Sequence, residues 1–215
     1  MKVPMARSFS HWTVRYLLNR SREKLYRKMH PGVPWFAPQA VSFLEDYLLP
    51  VDDGLEFGSG RSTIWFASRV HHLTSVEHNA EWVEKVRLML MERSIANVDM
   101  IHQPRLEHPD QDIDQSGYVQ VTGRFNPESL DFVVIDGIYR AQCAWRSLPL
   151  LKRNGILIID NVNKALPSDS IAPNSRTPEQ GPDGEIWTKV WQEIRPWRRY
   201  WTGNGVSDTA FFFKP

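Results

Sequence analysis

The chain has 215 residues, with 26 Lys plus Arg against 25 Asp plus Glu. This formal charge of +1 gives no global pull toward nucleic acid or an anionic membrane. The single cysteine, Cys143, excludes an internal disulfide framework and a Cys-based zinc site, and it is compatible with a reducing cytoplasm. No apolar run is long enough to span a bilayer, and no apolar segment follows Lys2 and Arg7 as a secretory signal would require.

The pattern from about Ser10 to Met29 predicts a helix. Trp12, Tyr16 and Leu25 sit there among Arg15, Arg20, Arg22, Lys24, Arg27 and Lys28. Such a basic helix either touches a membrane surface or a partner, or packs on the body with a solvated face; the second reading is preferred. His30-Pro31-Gly32-Val33-Pro34 breaks it, which divides the chain into an N-terminal extension, 1–37, and an α/β domain, 38–215. Pro38 suits a first helical turn, and Val41, Leu44, Tyr47 and Leu48 form a helical stripe ended by Pro50.

Gly54 to Phe57 reads as the first core strand. It runs into Gly58-Ser59-Gly60 and then into a helix from Ser62 to Val70, an arrangement that bares backbone N–H groups to a ligand. Leu73 to Val76 is a second strand, ending at Glu77. Asn79 is placed to cap a helix whose stripe is Trp82, Val83, Val86, Met89 and Leu90. Val98 to His102 is a third strand. Gln103 to Asn126 is polar and resists assignment, apart from a short strand expected at Tyr118 to Val121.

Leu130 to Ile135 is an apolar strand ending at Asp136-Gly137. A helix is expected from Arg140 to Leu151, bent at Pro149 and ended by Gly155, and then a buried strand, Ile156 to Ile159, that ends at Asp160-Asn161. Unbroken aliphatic runs of this kind suit parallel strands covered on both faces. The stretch 162–184 is rich in Pro, Ser and Asn and reads as a loop, either a substrate lid or an inconsequential insertion. An amphipathic helix follows at Ile186 to Ile194, then a hairpin of Arg199 to Thr202 and Thr209 to Phe213. The alternation predicts a doubly wound, mostly parallel α/β sheet with helices on both faces and a terminal antiparallel hairpin.

In such a sheet, ligands lie beyond the carboxyl ends of the strands. Four of the predicted strands end in glycine or polar groups: Gly58-Ser59-Gly60, Glu77, Asp136-Gly137 and Asp160-Asn161. Each alone is equally well a turn, a cap or a surface carboxylate, but their joint placement points to a shared site. Glu77 lies seventeen positions after Gly60, about the interval at which an acid meets the hydroxyls of a bound ribose. The third glycine of a dinucleotide fingerprint is replaced by Thr63, which disfavours a pyrophosphate-bearing cofactor.

Leu55-Glu56-Phe57-Gly58-Ser59-Gly60, Val76-Glu77-His78, Val134-Ile135-Asp136-Gly137 and Gly155 to Asn161 together resemble the class I S-adenosylmethionine-dependent methyltransferases, in particular the small-molecule O-methyltransferase branch. The resemblance runs from about Pro38 onward and implies a seven-stranded Rossmann-like sheet. The motif departs from the family where Ser62 stands for a glycine, and no adenine-binding motif is clear between Gln103 and Asn126. The implied cofactor residues are Glu56, Gly58, Ser59, Gly60, Ser62, Thr63, Glu77, His78, Asp136 and Gly137. Glu56 is then expected near the methionine portion, Glu77 on the ribose and His78 beside the adenine.

The resemblance also implies a divalent cation, Mg²⁺, on Asp136, Asp160 and Asn161, three oxygen donors of the right kind. A polar pocket without metal accounts for them equally well, and both readings stay open. Asp136, Tyr139 and Asp160 are the candidates for the chemistry. Tyr139 and Arg140 stand where the family often has a basic or imidazole side chain, which leaves the general base unassigned, and Lys164 is a weaker candidate. The expected activity is methyl transfer to a hydroxyl of a small molecule or glycan. A nicotinamide-dependent oxidoreductase and a non-catalytic binding module of the same fold are the alternatives.

Overall fold

The computed structural model describes residues 12–108 and 111–215. The expected start of the first helix at Ser10 lies outside them; the described helix, α1, is Val14–Met29, capped by the Thr13 side chain, which accepts from Tyr16 N–H. After the Pro-Gly break, α2 (Pro38–Tyr47) carries proline in its first turn, where a missing N–H costs nothing. The strand–helix alternation then unfolds as β1 (Asp53–Phe57), α3 (Arg61–Ala67), β2 (His72–Glu77), α4 (Ala80–Glu92) and β3 (Val98–His102). A short α5 (Gly117–Gln120) precedes β4 (Leu130–Ile135), α6 (Arg140–Ser147) and β5 (Leu151–Asp160). The fold closes with α7 (Gly184–Ile194), β6 (Arg198–Gly203) and β7 (Asp208–Phe213).

The seven strands form one sheet in the order β3-β2-β1-β4-β5-β7-β6. β1 through β5 are mutually parallel, while β7 runs antiparallel between β5 and β6. Strand order reverses between β1 and β4, the switch point at which open α/β sheets bind ligands. The two sheet faces bury separate clusters, as strand alternation demands. Val133, Ile135, Leu157 and Ile159 face α6 and α7, whereas Phe132, Val134, Ile156 and Ile158 face α2 and α3.

Three expectations are corrected. Tyr118 to Val121 is not a strand: Ser116 caps a helical turn there, accepting from Val119 N–H at 3.3 Å, and the cap overrides the β preference of the residues. The helix from Arg140 stops at Ser147. Pro149 sits in a 3₁₀ turn, Leu148–Leu150, and β5 already starts at Leu151, with a register shift against β4. Trp82 is not core. Val83, Val86 and Leu90 are buried, but Trp82 lies at the edge of that stripe and is 40% exposed.

Candidate functional site

Register gathers the predicted strand ends. Phe57 pairs with Val76 and with Ile135, and Ile135 pairs with Ile159. The next position along each strand is therefore Gly58, Glu77, Asp136 and Asp160, and Asp160 pairs with Thr209. These residues make one row across the carboxyl ends of β2, β1, β4, β5 and the start of β7.

Glu56 lies below that row and is completely buried. Its Oε2 accepts from Thr63 Oγ1 at 2.5 Å and from Ser75 Oγ at 2.6 Å. Since each hydroxyl has one proton, Thr63 is free to accept from Gly60 N–H (2.8 Å), and Ser75 from Ser59 Oγ (2.7 Å). The glycine turn thus hangs on Glu56 through two hydroxyls. Burial pushes the carboxyl up to about 7, with hydrogen bonds from Ser62, Ser75 and Thr63 pulling the other way. Its Oε1 has no hydrogen-bond partner among the described residues.

Gly58 and Gly137 serve packing at the switch point. Gly58 has φ +101°, and a Cβ there would lie 2.6 Å from Gly137 N; a Cβ on Gly137 would lie 2.0 Å from the Tyr118 hydroxyl. Gly60 differs. A Cβ on it would meet only the Trp82 indole, at 3.8 Å, so this is the glycine with open space above it. Trp82 Nε1 donates to Ser59 O at 2.7 Å, which makes the indole a side wall of the turn. Sequence reasoning missed this role because Trp82 fits the helical stripe.

Glu77 is 5% exposed and held by backbone. Oε1 accepts from His78 and Asn79 N–H, both at 2.9 Å, and Oε2 from Ser59 N–H at 3.1 Å. Of about four lone pairs on the carboxylate, three are engaged and one on Oε2 is open. The His78 ring lies beside Glu77 and meets Tyr118 edge-on, with centroids 6.5 Å apart.

At the other end of the row, Arg140 opens α6 and reaches back over both neighbouring strands. Nη2 donates to Asp136 Oδ1 at 2.7 Å and to Asp136 O at 2.5 Å. Nη1 donates to Asp160 O at 2.6 Å, and Nε to Gly137 O at 3.0 Å. Asp160 Oδ1 accepts from Thr209 Oγ1 at 2.8 Å, and its Oδ2 accepts from Asn161 Nδ2. Asn161 Oδ1 accepts from Lys164 Nζ at 2.8 Å. Burial and mutual repulsion raise the proton affinity of Asp136, with Arg140 opposing; burial likewise raises that of Asp160, with Thr209 and Arg140 opposing. Tyr139 stands apart. It occupies the left-handed region at φ 51°, and its hydroxyl oxygen accepts from Leu106 N–H at 3.0 Å, in the segment after β3.

This donor set does not fit Mg²⁺. Asp136 Oδ1, both Asp160 carboxylate oxygens and Asn161 Oδ1 are turned to internal donors, two of them cationic. The glycine turn fits S-adenosylmethionine better: Gly60 has space above it where a Cβ would stand, and Glu77 keeps an open lone pair on Oε2.

No protein-family model matches the chain, and no curated protein matches it significantly. Solved structures do. A candidate caffeoyl-CoA O-methyltransferase from Staphylococcus aureus superposes with TM-score 0.60 at 18% identity, covering 94% of this chain and 98% of that one. A methyltransferase from Geobacter sulfurreducens gives 0.56 at 12% identity, with 92% and 89% covered. A methyltransferase-like protein from Silicibacter pomeroyi gives 0.56 at 22% identity, with 83% and 86% covered. The fold is therefore the seven-stranded Rossmann-like fold that these methyltransferase structures share.

Proposed function

We propose that the protein transfers a methyl group from S-adenosylmethionine to a hydroxyl of a small molecule or glycan. The observation that carries this reading is the acidic row: Glu77, Asp136 and Asp160 at the ends of β2, β4 and β5, with Gly58 of β1 between the first two and Glu56 beneath. A row of oxygen acceptors suits a ligand that brings hydroxyl donors, such as a ribose, and offers little to a pyrophosphate. Arg61, the cation nearest in sequence to the glycine turn, donates to Pro31 O at 2.9 Å and stacks on Trp35. Both features weigh against the nicotinamide alternative.

S-adenosylmethionine supplies an electrophilic methyl on a positive sulfur. Gly60, with no side chain above it, lets the donor lie close against the turn, Trp82 closes one side, and the open lone pair of Glu77 Oε2 takes a ribose hydroxyl. The Asp136–Asp160 pair, whose proton affinity is raised by burial, would take the proton of the acceptor hydroxyl as the bound donor gives up its methyl group. Positioning in a dry site supplies most of the rate.

The acceptor enters along a groove of about 1610 Å³ between α1, the 167–171 stretch and the β6–β7 hairpin. Its lining includes Arg22, Ile171, Trp201, Pro38 and Asp208. The row residues do not line it; Asp208, which does, is next in sequence to Thr209, the partner of Asp160.

Calorimetric titration with S-adenosylmethionine and S-adenosylhomocysteine, followed by a labelled-methyl screen of hydroxyl acceptors, tests the reading. Binding of both ligands that is lost in Glu77→Ala supports it. Folded protein that binds neither, with Glu77→Ala indistinguishable from wild type, ends it. Binding without transfer to any acceptor favours the non-catalytic module.

A further inference from the structure

We propose that Arg140 is a built-in cation of this site, standing where related sites hold a divalent metal, so that the protein neither binds nor needs one. The proposal rests on the methyl-transfer reading of the row and concerns how its acidic end is neutralised. Arg140 is a positioning residue: it acts on the donor and acceptor through Asp136 and Asp160.

The geometry is specific to a guanidinium. Four donor contacts at 2.5 to 3.0 Å reach Asp136 Oδ1, Asp136 O, Gly137 O and Asp160 O, and so bridge the ends of β4 and β5. A planar fork with five N–H groups can do this; the point charge of a lysine cannot span both strands with the same contacts. The charge is permanent across the accessible pH range. The flanking position repeats the arrangement, as Lys164 Nζ holds Asn161 Oδ1 at 2.8 Å. Asp160 is closed by Thr209 and Asn161.

Each of the three residues that would ligate a metal is thus already engaged by a protein donor, at two of them a cation. A dication entering here would have to displace two charge-assisted hydrogen bonds and then sit beside a guanidinium. Mg²⁺ also demands near-octahedral oxygen geometry, which the donors on Asp136 Oδ1, both Asp160 oxygens and Asn161 Oδ1 oppose. The fixed charges neutralise the carboxylate pair at all times, whatever the supply of metal.

Mn²⁺ is the probe, read by electron paramagnetic resonance on wild type, Arg140→Ala and the double variant with Asp160→Asn. S-adenosylhomocysteine binding is measured in parallel, with Mg²⁺ or with chelator. Wild type is expected to leave the free Mn²⁺ signal undiminished at millimolar metal and to bind S-adenosylhomocysteine equally in both buffers. Arg140→Ala is expected to gain Mn²⁺ affinity by about a hundredfold, as removal of a unit charge a few Å from two carboxylates predicts, and Asp160→Asn should abolish the gain. Arg140→Gln replaces Arg140→Ala if the latter does not fold and is read the same way. Capture of Mn²⁺ by wild type, lost on Asp160→Asn, overturns the proposal, as does a folded Arg140 variant that captures none. Failure to bind S-adenosylhomocysteine refutes the methyl-donor reading instead and leaves the Mn²⁺ result legible on its own.

Discussion

Trp82 Nε1 donates to Ser59 O across 2.7 Å, fastening the first turn of α4 to the glycine turn after β1. Removing that N–H while keeping an aromatic ring, in Trp82→Phe, deletes one neutral hydrogen bond. The turn should then wander, and S-adenosylhomocysteine affinity should fall about 2- to 10-fold, the equivalent of one such bond. Calorimetric titration measures it; unchanged affinity would show that Glu56 and Glu77 hold the turn without it.

Glu56 links stability to pH. Its folded value, about 7, lies above the usual carboxylate value of 4.5. As pH rises from 4.5 toward 7 the unfolded chain releases the proton while the folded chain keeps it, so the unfolded state binds fewer protons and stability falls. Above 7 the loss is complete, on the order of 3 kcal/mol. Glu56→Gln removes this dependence. Denaturant melts should show wild type losing stability relative to the variant between pH 5 and pH 8, and parallel curves for the two would contradict the buried, protonated carboxyl.

Gly137 is caught between Tyr118 and the Gly58 backbone. Gly137→Ala should cost about 1–3 kcal/mol by overpacking. Adding Tyr118→Phe takes away the oxygen 2.0 Å from the new methyl, so the double variant should recover part of the loss. Thermal melts of the four-member cycle give the coupling; strictly additive losses would place the strain elsewhere.

The 162–184 segment is tied down from within. Asn163 is fully buried and donates to Ser175 Oγ at 2.9 Å, its Oδ1 accepts from Asp208 N–H at 3.3 Å, and Arg176 N–H returns to Asn163 O at 2.8 Å. Asn163→Ala should cost about 1–3 kcal/mol and speed tryptic cleavage after Arg176 in the native state. Equal cleavage rates would mean that the segment is held by its ends. A rate that falls when donor and acceptor are both bound would support its role as a lid.

Most of the sheet could be read from the sequence because its strands are apolar runs that stop at polar residues, and those stops form the row of the candidate site. Glu77, Asp136 and Asp160 were legible for that reason alone. Other parts depend on three-dimensional adjacency. Arg140 four residues after Asp136 suggests a cap; only the pairing of Ile135 with Ile159 brings Asp160 O within its reach. Trp82 shares its period with Val83 and Val86, and periodicity does not say which edge of a stripe meets solvent. Tyr118 and Val119 carry a strand's composition, and one hydroxyl, on Ser116, decides against it. Gly58 and Gly137 announced a turn, but not that each is required by the other.

The insertion of β7 between β5 and β6 has a consequence for biosynthesis. Thr209, which holds Asp160, is made long after the glycine turn and Glu77. A chain still on the ribosome has its donor-side residues early, but its acidic end is unfinished until residues 208–213 emerge and slot beside β5. The acidic end of the row is therefore completed in a late step of synthesis, and a nascent chain arrested before that step has the strand ends without the partner that orders them.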